Sequence, residues 1–308
     1  MESNVMHTPI SATVWERLVC SDCGHALQKS PQGAQCPNCK LEYLYTSAGA
    51  LDMRLQRPKT YPLQFQLGTP LLPDTGFDFG PLAMNPAAVV DYRRAEVPRH
   101  LTHELLSYFP RAKSDHSLML DLGCGGGIHR SVCEQAGFEW VGLDYEAAGA
   151  QILGDGQSLP FMDATFEFVL CVTVLQYIRY PFVMVREVKR VLKPGGMFIG
   201  TVAFLEPSHG TSFYHHTHLG TYNLLHYAGF KVEKLAPSER WSVLKALANM
   251  GLFYRMPDAL SEAIVWPLQK MHELWWRAGG WATHRPLRDV RLRNFTGSFS
   301  FVASRGAG

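Results

Sequence analysis

The chain has 308 residues, of which 46% are hydrophobic and 18% charged, enough for one large domain and an appendage. Its 29 basic and 27 acidic side chains leave a formal charge of +2, so no global field draws it to nucleic acid or anionic lipid, and such a partner has to meet a local patch. The apolar runs fall short of the ~18 residues that cross a bilayer, and MESNVMHTPISATVWERL lacks the basic and apolar regions of a secretory leader. A cytoplasmic, reducing setting is expected, in keeping with cysteines that are clustered in pairs or scattered through apolar segments.

The first signal along the chain is Cys20-x2-Cys23, twelve intervening residues, then Cys36-x2-Cys39. Each pair suits a tight turn with both thiolates aimed at one centre, and two such turns complete a tetrahedral four-sulfur shell for Zn2+. Two disulfides or four separate thiols are the alternatives. A four-thiolate shell has no open position, so the expected metal is structural, in a ribbon over residues 1–55. Residues 56–99, rich in Pro, Gly, Gln and isolated aromatics, read as a linker draped over its neighbour.

A third unit is expected over residues 100–308. HLTHELLSYF places Leu101, Leu105 and Leu106 on one helical face and stops before Pro110. From Leu118, LMLDLG, EWVGLD, FEFVLCV and MFIGTVAF are nearly continuous in apolar and β-branched residues, as strands buried on both faces are. Between them, GIHRSVCEQAGF carries Ile128, Val132 and Ala136 at helical spacing, and VMVREVKRVLKPGG is a helix stopped by Pro194 and two glycines. Alternating strand and helix predicts right-handed crossovers and a doubly wound α/β sheet. A helix TYNLLHYAGF and a strand FKVEKL follow; a Trp-rich helical insertion at about 236–290, with a break near Pro267, precedes the last strand, GSFSFVASR.

LDLGCGGGI ends a strand and opens a helix, and Gly123, Gly125 and Gly127 let the backbone turn sharply against a ligand. The dinucleotide fingerprint would need a third glycine at 128, which is Ile, so NAD is disfavoured. Asp144 stands at the tip of the next strand, where a carboxylate can accept both ribose hydroxyls.

The succession DLGCGGG, VGLD, GDGQSLPF, FEFVLCVTVLQYI and REVKRVLKPGG resembles the class I S-adenosylmethionine-dependent methyltransferases, in particular the type 11 methyltransferase domain, over roughly residues 116–230. The resemblance implies a Rossmann-like seven-stranded sheet. It further implies that Asp121, Gly123 and Gly125, with Gly127 in the same loop, hold the methionine end of S-adenosylmethionine, and that Asp144 with Tyr145 beside it takes the ribose. Asp155, Gly156 and Gln157 would contact the adenine, and Cys171 and Val172 would flank the sulfonium. Glu167 and Tyr177 depart from the family, which commonly has Asp and His there.

Transfer from a sulfonium is mostly alignment, but a hydroxyl acceptor needs a base, for which histidine is suited. EPSHGTSFYHHTH leaves the carboxyl end of a strand, so His215 or His216 is the expected base, with His209 behind them and Tyr214 and Tyr177 positioning the acceptor. Solvated or helix-capping histidines are the plainer reading.

Residues 230–308 hold 12 Lys or Arg against 6 Asp or Glu, and five of the seven tryptophans. Aromatics interleaved with arginine are the footprint of an RNA-binding face, and equally build a hydrophobic lid over a small acceptor. A zinc ribbon ahead of this domain is similar both to an rRNA guanine methyltransferase family and to methyltransferases of natural-product and glycan biosynthesis. Residues 15–45 carry no net basic excess, which weighs against RNA. The preferred expectation is O-methylation of a small molecule such as a sugar or polyketide. RNA base methylation is the alternative, and a donor-binding scaffold without activity is the non-enzymatic one.

Overall fold

A computed structural model describes residues 9–68, 80–208, 210–253 and 255–307. Helix α1 (Ala12–Trp15) begins where the Ser11 hydroxyl accepts the Val14 N–H at 3.2 Å. Strands β1 (Gln28–Ser30), β2 (Gly33–Gln35) and β3 (Glu42–Leu44) then form a small antiparallel sheet. The next strand, β4 (Leu51–Asp52), leaves it and pairs in parallel with β7 (Ile152–Leu153) at the edge of the main sheet.

That main sheet also contains β5 (Leu118–Leu122), β6 (Glu139–Asp144), β8 (Phe166–Val172), β9 (Leu192–Ala203), β10 (Phe230–Pro237) and β11 (Ser298–Arg305), in the order β10-β11-β9-β8-β5-β6-β7-β4. β11 is antiparallel to both neighbours and the other pairs are parallel. The expected seven strands are therefore joined by an eighth from the N-terminal segment. Its Leu51 and the following Met53 are fully buried, so β4 shields an edge that two-residue β7 would otherwise leave open.

Side chains alternate across β5 and divide the core into two layers. Leu118, Leu120 and Leu122 pack with Val14, Leu18, Tyr43 and Met53 from the N-terminal segment and with α4 (Pro181–Val191) and α5 (His218–Tyr227). Met119 faces the other layer, where α2 (His103–Leu106), α3 (Arg130–Gln135) and the Val90–Tyr92 stretch lie. The Tyr92 hydroxyl donates to the Val132 carbonyl at 2.8 Å. α3 is shorter than its sequence pattern suggests, and Ile128 precedes it, 51% exposed.

After β10 the chain makes α6 (Val243–Leu247), a π-helical turn (Ala248–Leu252), α7 (Asp258–Ala282) and α8 (Arg288–Phe295) before entering β11. The break expected at Pro267 does not occur: α7 runs through it. Pro267 and Ala263, whose carbonyl loses its helical donor, are both exposed, so water can take that carbonyl. No helix among the described residues is long and apolar enough to cross a membrane.

Candidate active site

The order of strands reverses between β5 and β8, and in open α/β sheets ligands settle at the carboxyl ends of such neighbours. A cleft of about 810 Å3 opens there, within the range of nucleotide-sized pockets. Its lining comes from the tips of β5 (Leu122, Gly123), β6 (Leu143 to Glu146) and β8 (Val172 to Val174), and from the turns at 154–157 and 177–180 and the loop residues Thr211 and Phe213.

Each tip has a local cause. Gly123 has φ +74°, and a Cβ there would overlap the Val174 side chain; Gly125 has φ +52°, with no heavy atom within 4 Å of where its Cβ would stand. The first glycine is required by a close approach and the second leaves open space. The Asp144 carboxylate closes this loop: Oδ2 accepts the Gly125 N–H at 2.9 Å, and Oδ1 accepts the N–H groups of Glu146 and Ala147, both at 3.1 Å. Two carboxylate oxygens offer about four acceptor directions, so Asp144 retains one for a ligand hydroxyl. Asp155 Oδ1 accepts the Gln157 N–H at 2.8 Å, while Gln157 Oε1 accepts the Tyr180 N–H at 2.9 Å, which ties the turn to the start of α4.

Of the cofactor residues read from sequence, Gly123, Asp144, Tyr145, Asp155, Gly156, Gln157 and Val172 meet in this cleft. Asp121, Gly125, Gly127 and Cys171 are not among its lining. Asp121 is fully buried; its Oδ2 accepts from Trp140 Nε1 at 3.1 Å and lies 3.8 Å from His129 Nδ1, whereas Oδ1 has no hydrogen-bond partner. An unsatisfied buried carboxylate oxygen calls for a donor, and an ammonium group suits it. Cys171 is fully buried, and burial pushes its thiol well above the usual range. Glu167 accepts from Ser117 at 3.0 Å and from Lys193 at 3.1 Å, so it serves the sheet's packing.

The histidines of the 206–218 loop are placed differently from the expectation. His216 is buried, with Nε2 3.5 Å from the Leu175 carbonyl, and burial lowers its pKa. His215 Nδ1 lies 3.0 Å from the Phe204 carbonyl. Neither lines the cleft, and Tyr214 points its hydroxyl at the Arg179 carbonyl instead. His209 lies outside the described residues. The loop residues that do reach the cleft are Thr211 and Phe213, the latter held by its N–H to the Gln176 carbonyl at 2.7 Å.

Sequence reading missed Thr173. It has φ +55°, an unusual conformation for a β-branched residue, and its N–H donates to the Thr201 carbonyl at 3.1 Å. Nothing in a string of residues announces such backbone geometry.

The cysteine quartet forms a second centre. The four sulfurs lie within 4.8 Å of one another, with Cys20 to Cys39 and Cys23 to Cys36 both at 3.5 Å. Tetrahedral sulfurs about 2.3 Å from a metal stand about 3.8 Å apart, so the donor set fits zinc. The Tyr43 hydroxyl, 3.0 Å from Cys20 Sγ, donates to Asp22 Oδ2 at 3.0 Å, an outer contact of the kind that orients ligands.

This centre is joined to the cleft. The Val19 N–H donates to the Pro160 carbonyl at 3.0 Å, Ser158 Oγ donates to the Ser21 carbonyl at 2.9 Å, and Lys59 Nζ bonds both Ser21 O and Ser158 Oγ. The first cysteine turn thus buttresses the segment directly after Asp155–Gln157.

A family model described as a methyltransferase domain (type 11) matches residues 120–200. Over 114 residues the chain is 30% identical to the biotin biosynthesis bifunctional protein BioHC of Cellvibrio japonicus, covering 33% of this chain and 22% of that protein. It is 26% identical over 98 residues to the 18S rRNA (guanine-N(7))-methyltransferase of Mus musculus, covering 28% and 35%. The match thus spans well under half of these curated relatives. A solved complex between the Haloferax volcanii Trm112 methyltransferase activator and a methyltransferase aligns with a TM-score of 0.45 at 21% identity, covering 67% of this chain and 89% of that one.

Proposed function

We propose that the protein, whose residues 120–200 match a methyltransferase domain, transfers a methyl group from S-adenosylmethionine to a hydroxyl of a small acceptor. The observation that carries this reading is the cleft at the strand reversal, where Gly123, the Asp144 carboxylate and the Asp155–Gln157 turn converge. When bound, the donor supplies an activated methyl group on a sulfonium.

Asp144 would hold the ribose and the 155–157 turn the adenine, while the bare backbone of the glycine loop leaves room for the amino-acid end, with Asp121 Oδ1 as acceptor for its ammonium. Val172 and Thr173 at the tip of β8 would frame the reacting end. Tyr177, Ile178 and Phe213 line the other side of the cleft and would orient the acceptor. The Tyr177 hydroxyl, whose pKa burial raises further above its ordinary value, is a hydrogen-bond donor at the cleft. We assign His215 and His216 to holding the loop against Phe204 and Leu175; as the methyl carbon leaves sulfur for the acceptor oxygen, the hydroxyl proton would pass to water at the rim of the cleft, where Tyr177 and Phe213 are exposed.

The lining favours a small acceptor over RNA. Beyond the residues given to the donor, it presents Tyr177, Ile178, Thr211 and Phe213 with Arg179 as the one Lys or Arg among the described lining residues, little to hold a polyphosphate. We further propose that the cysteine quartet holds a structural zinc ion.

The test is calorimetry of donor binding with Asp144→Ala, followed by extract labelled from methyl-labelled donor. Loss of charged hydrogen bonds predicts binding weakened by about 100-fold, and label is expected in low-molecular-weight product. Unchanged affinity removes the cleft from the reading, and label in RNA overturns the acceptor class.

A further inference from the structure

Helix α7 is amphipathic in the reverse sense to an ordinary surface helix. Its protein-facing side is mostly polar: Ser261 is buried against Asn249, Ser242 Oγ donates to Gln269 at 3.3 Å, Lys245 pairs with Glu262 at 2.7 Å, and Trp276 Nε1 donates to His272 Nε2 at 2.9 Å. The opposite side is apolar. At 100° per residue, an arc of about 140° contains no charged or polar side chain along a helix about 37 Å long. On it, Ile264 is 47% exposed, Leu268 53%, Met271 67%, Leu274 67%, Trp275 78% and Trp281 84%. A contiguous stripe of this size is far more than scattered surface leucines and marks a docking face.

Charge beside the stripe selects the occupant. Lys270 and Arg277 border it, and where α7 turns into α8, Arg277, Arg285, Arg288 and Arg291 line a hollow of about 470 Å3 together with Trp281. Glu273 is the one acidic residue of that lining; Arg288 also pairs with Glu239 at 2.6 Å. Exposed tryptophans at the level of a cluster of arginines, ahead of an uninterrupted apolar stripe, reproduce the layering of headgroup phosphates over acyl chains. α7 is not a spanning segment, because its other face is bonded to the protein.

We propose that α7 docks this protein on an anionic phospholipid bilayer, the stripe from Leu260 to Trp281 entering the acyl boundary and Arg277, Arg285 and Arg291 meeting lipid phosphates. The insertion leaves β10 and rejoins β11 at the carboxyl edge of the sheet, the edge at which the cleft opens. The docking does not depend on the methyl-transfer reading.

The experiment is flotation of the full-length protein with vesicles of phosphatidylcholine alone and of phosphatidylcholine with phosphatidylglycerol. The protein is expected to float with the anionic vesicles, and its tryptophan fluorescence to be quenched by brominated acyl chains, a reading that needs no variant. Leu274→Glu with Trp275→Glu should lower partition by at least about tenfold, and Arg285→Ala and Arg291→Ala by about fivefold each on anionic vesicles only. Donor affinity, read in parallel, should not move in these variants. Absence of flotation and quenching overturns the proposal. So does a dimer that Leu274→Glu with Trp275→Glu splits while vesicles are ignored, which would assign the face to a second copy, or capture of RNA in place of lipid.

Discussion

The two appendages of the sheet solve opposite problems. The N-terminal segment is small and turns its apolar residues inward: Leu18, Tyr43, Leu51 and Met53 are all at most 2% exposed and share one layer of core with β5 and α4. The late insertion is larger, yet α7 buries little besides Ser261 and Val265 and turns its hydrophobic residues outward. One appendage completes the core; the other offers a surface. Hydrophobicity in a sequence says that a residue is to be covered, and does not say by what.

That contrast can be broken most forcefully at the cysteines. Purified protein is expected to contain about one equivalent of zinc, and stripping it should lower the melting temperature by more than about 10 °C. Because the first cysteine turn bonds Ser158 and the Pro160 carbonyl, donor affinity should fall at the same time. Metal removal that leaves both melting and donor affinity intact would make the ribbon a passenger.

A paired substitution sharpens the difference between the appendages. Met53→Ala, at a fully buried position, should cost about 2–5 kcal/mol in chemical denaturation. Trp275→Ser, at a position 78% exposed, should change stability by no more than about 0.5 kcal/mol in the absence of lipid. Equal costs would mean that the α7 stripe is already covered within the chain.

The smallest effect concerns acid. Burial, with Arg291 nearby, lowers His272 below its ordinary 6.5, and Trp276 needs the neutral ring as its acceptor. The unfolded chain therefore takes up the proton first. This contribution is intact above about pH 6.5 and declines as pH falls below it. Burial depresses His216 and His218 in the same direction. Melting curves from pH 7.5 to 5.5 should fall with acid, and His272→Gln should flatten part of that slope; an unchanged slope removes His272 from the account.

How far the residues alone reach depends on how local the cause is. The strands were legible because LMLDLG and FEFVLCV are apolar on both faces, and the cleft's floor because Gly123 and Asp144 stand at strand tips where sequence spacing alone implies them. Cys20, Cys23, Cys36 and Cys39 were legible as one centre for the same reason: two residues of separation set each turn. Less local features escaped, such as the parallel pairing of Leu51 and Asp52 with β7, about 100 residues away, and the continuation of α7 through Pro267.

Sequence by itself established the sheet, the glycine turn at its strand tip and the sulfur quartet, because each follows from backbone sterics or short spacing. Only the tertiary structure decided that His215 and His216 turn to backbone carbonyls while Thr211 and Phe213 enter the cleft, and that the tryptophans of α7 face away from the protein. Which way a helix or loop is rolled depends on contacts between residues far apart in the chain, and those contacts form only when the whole molecule packs.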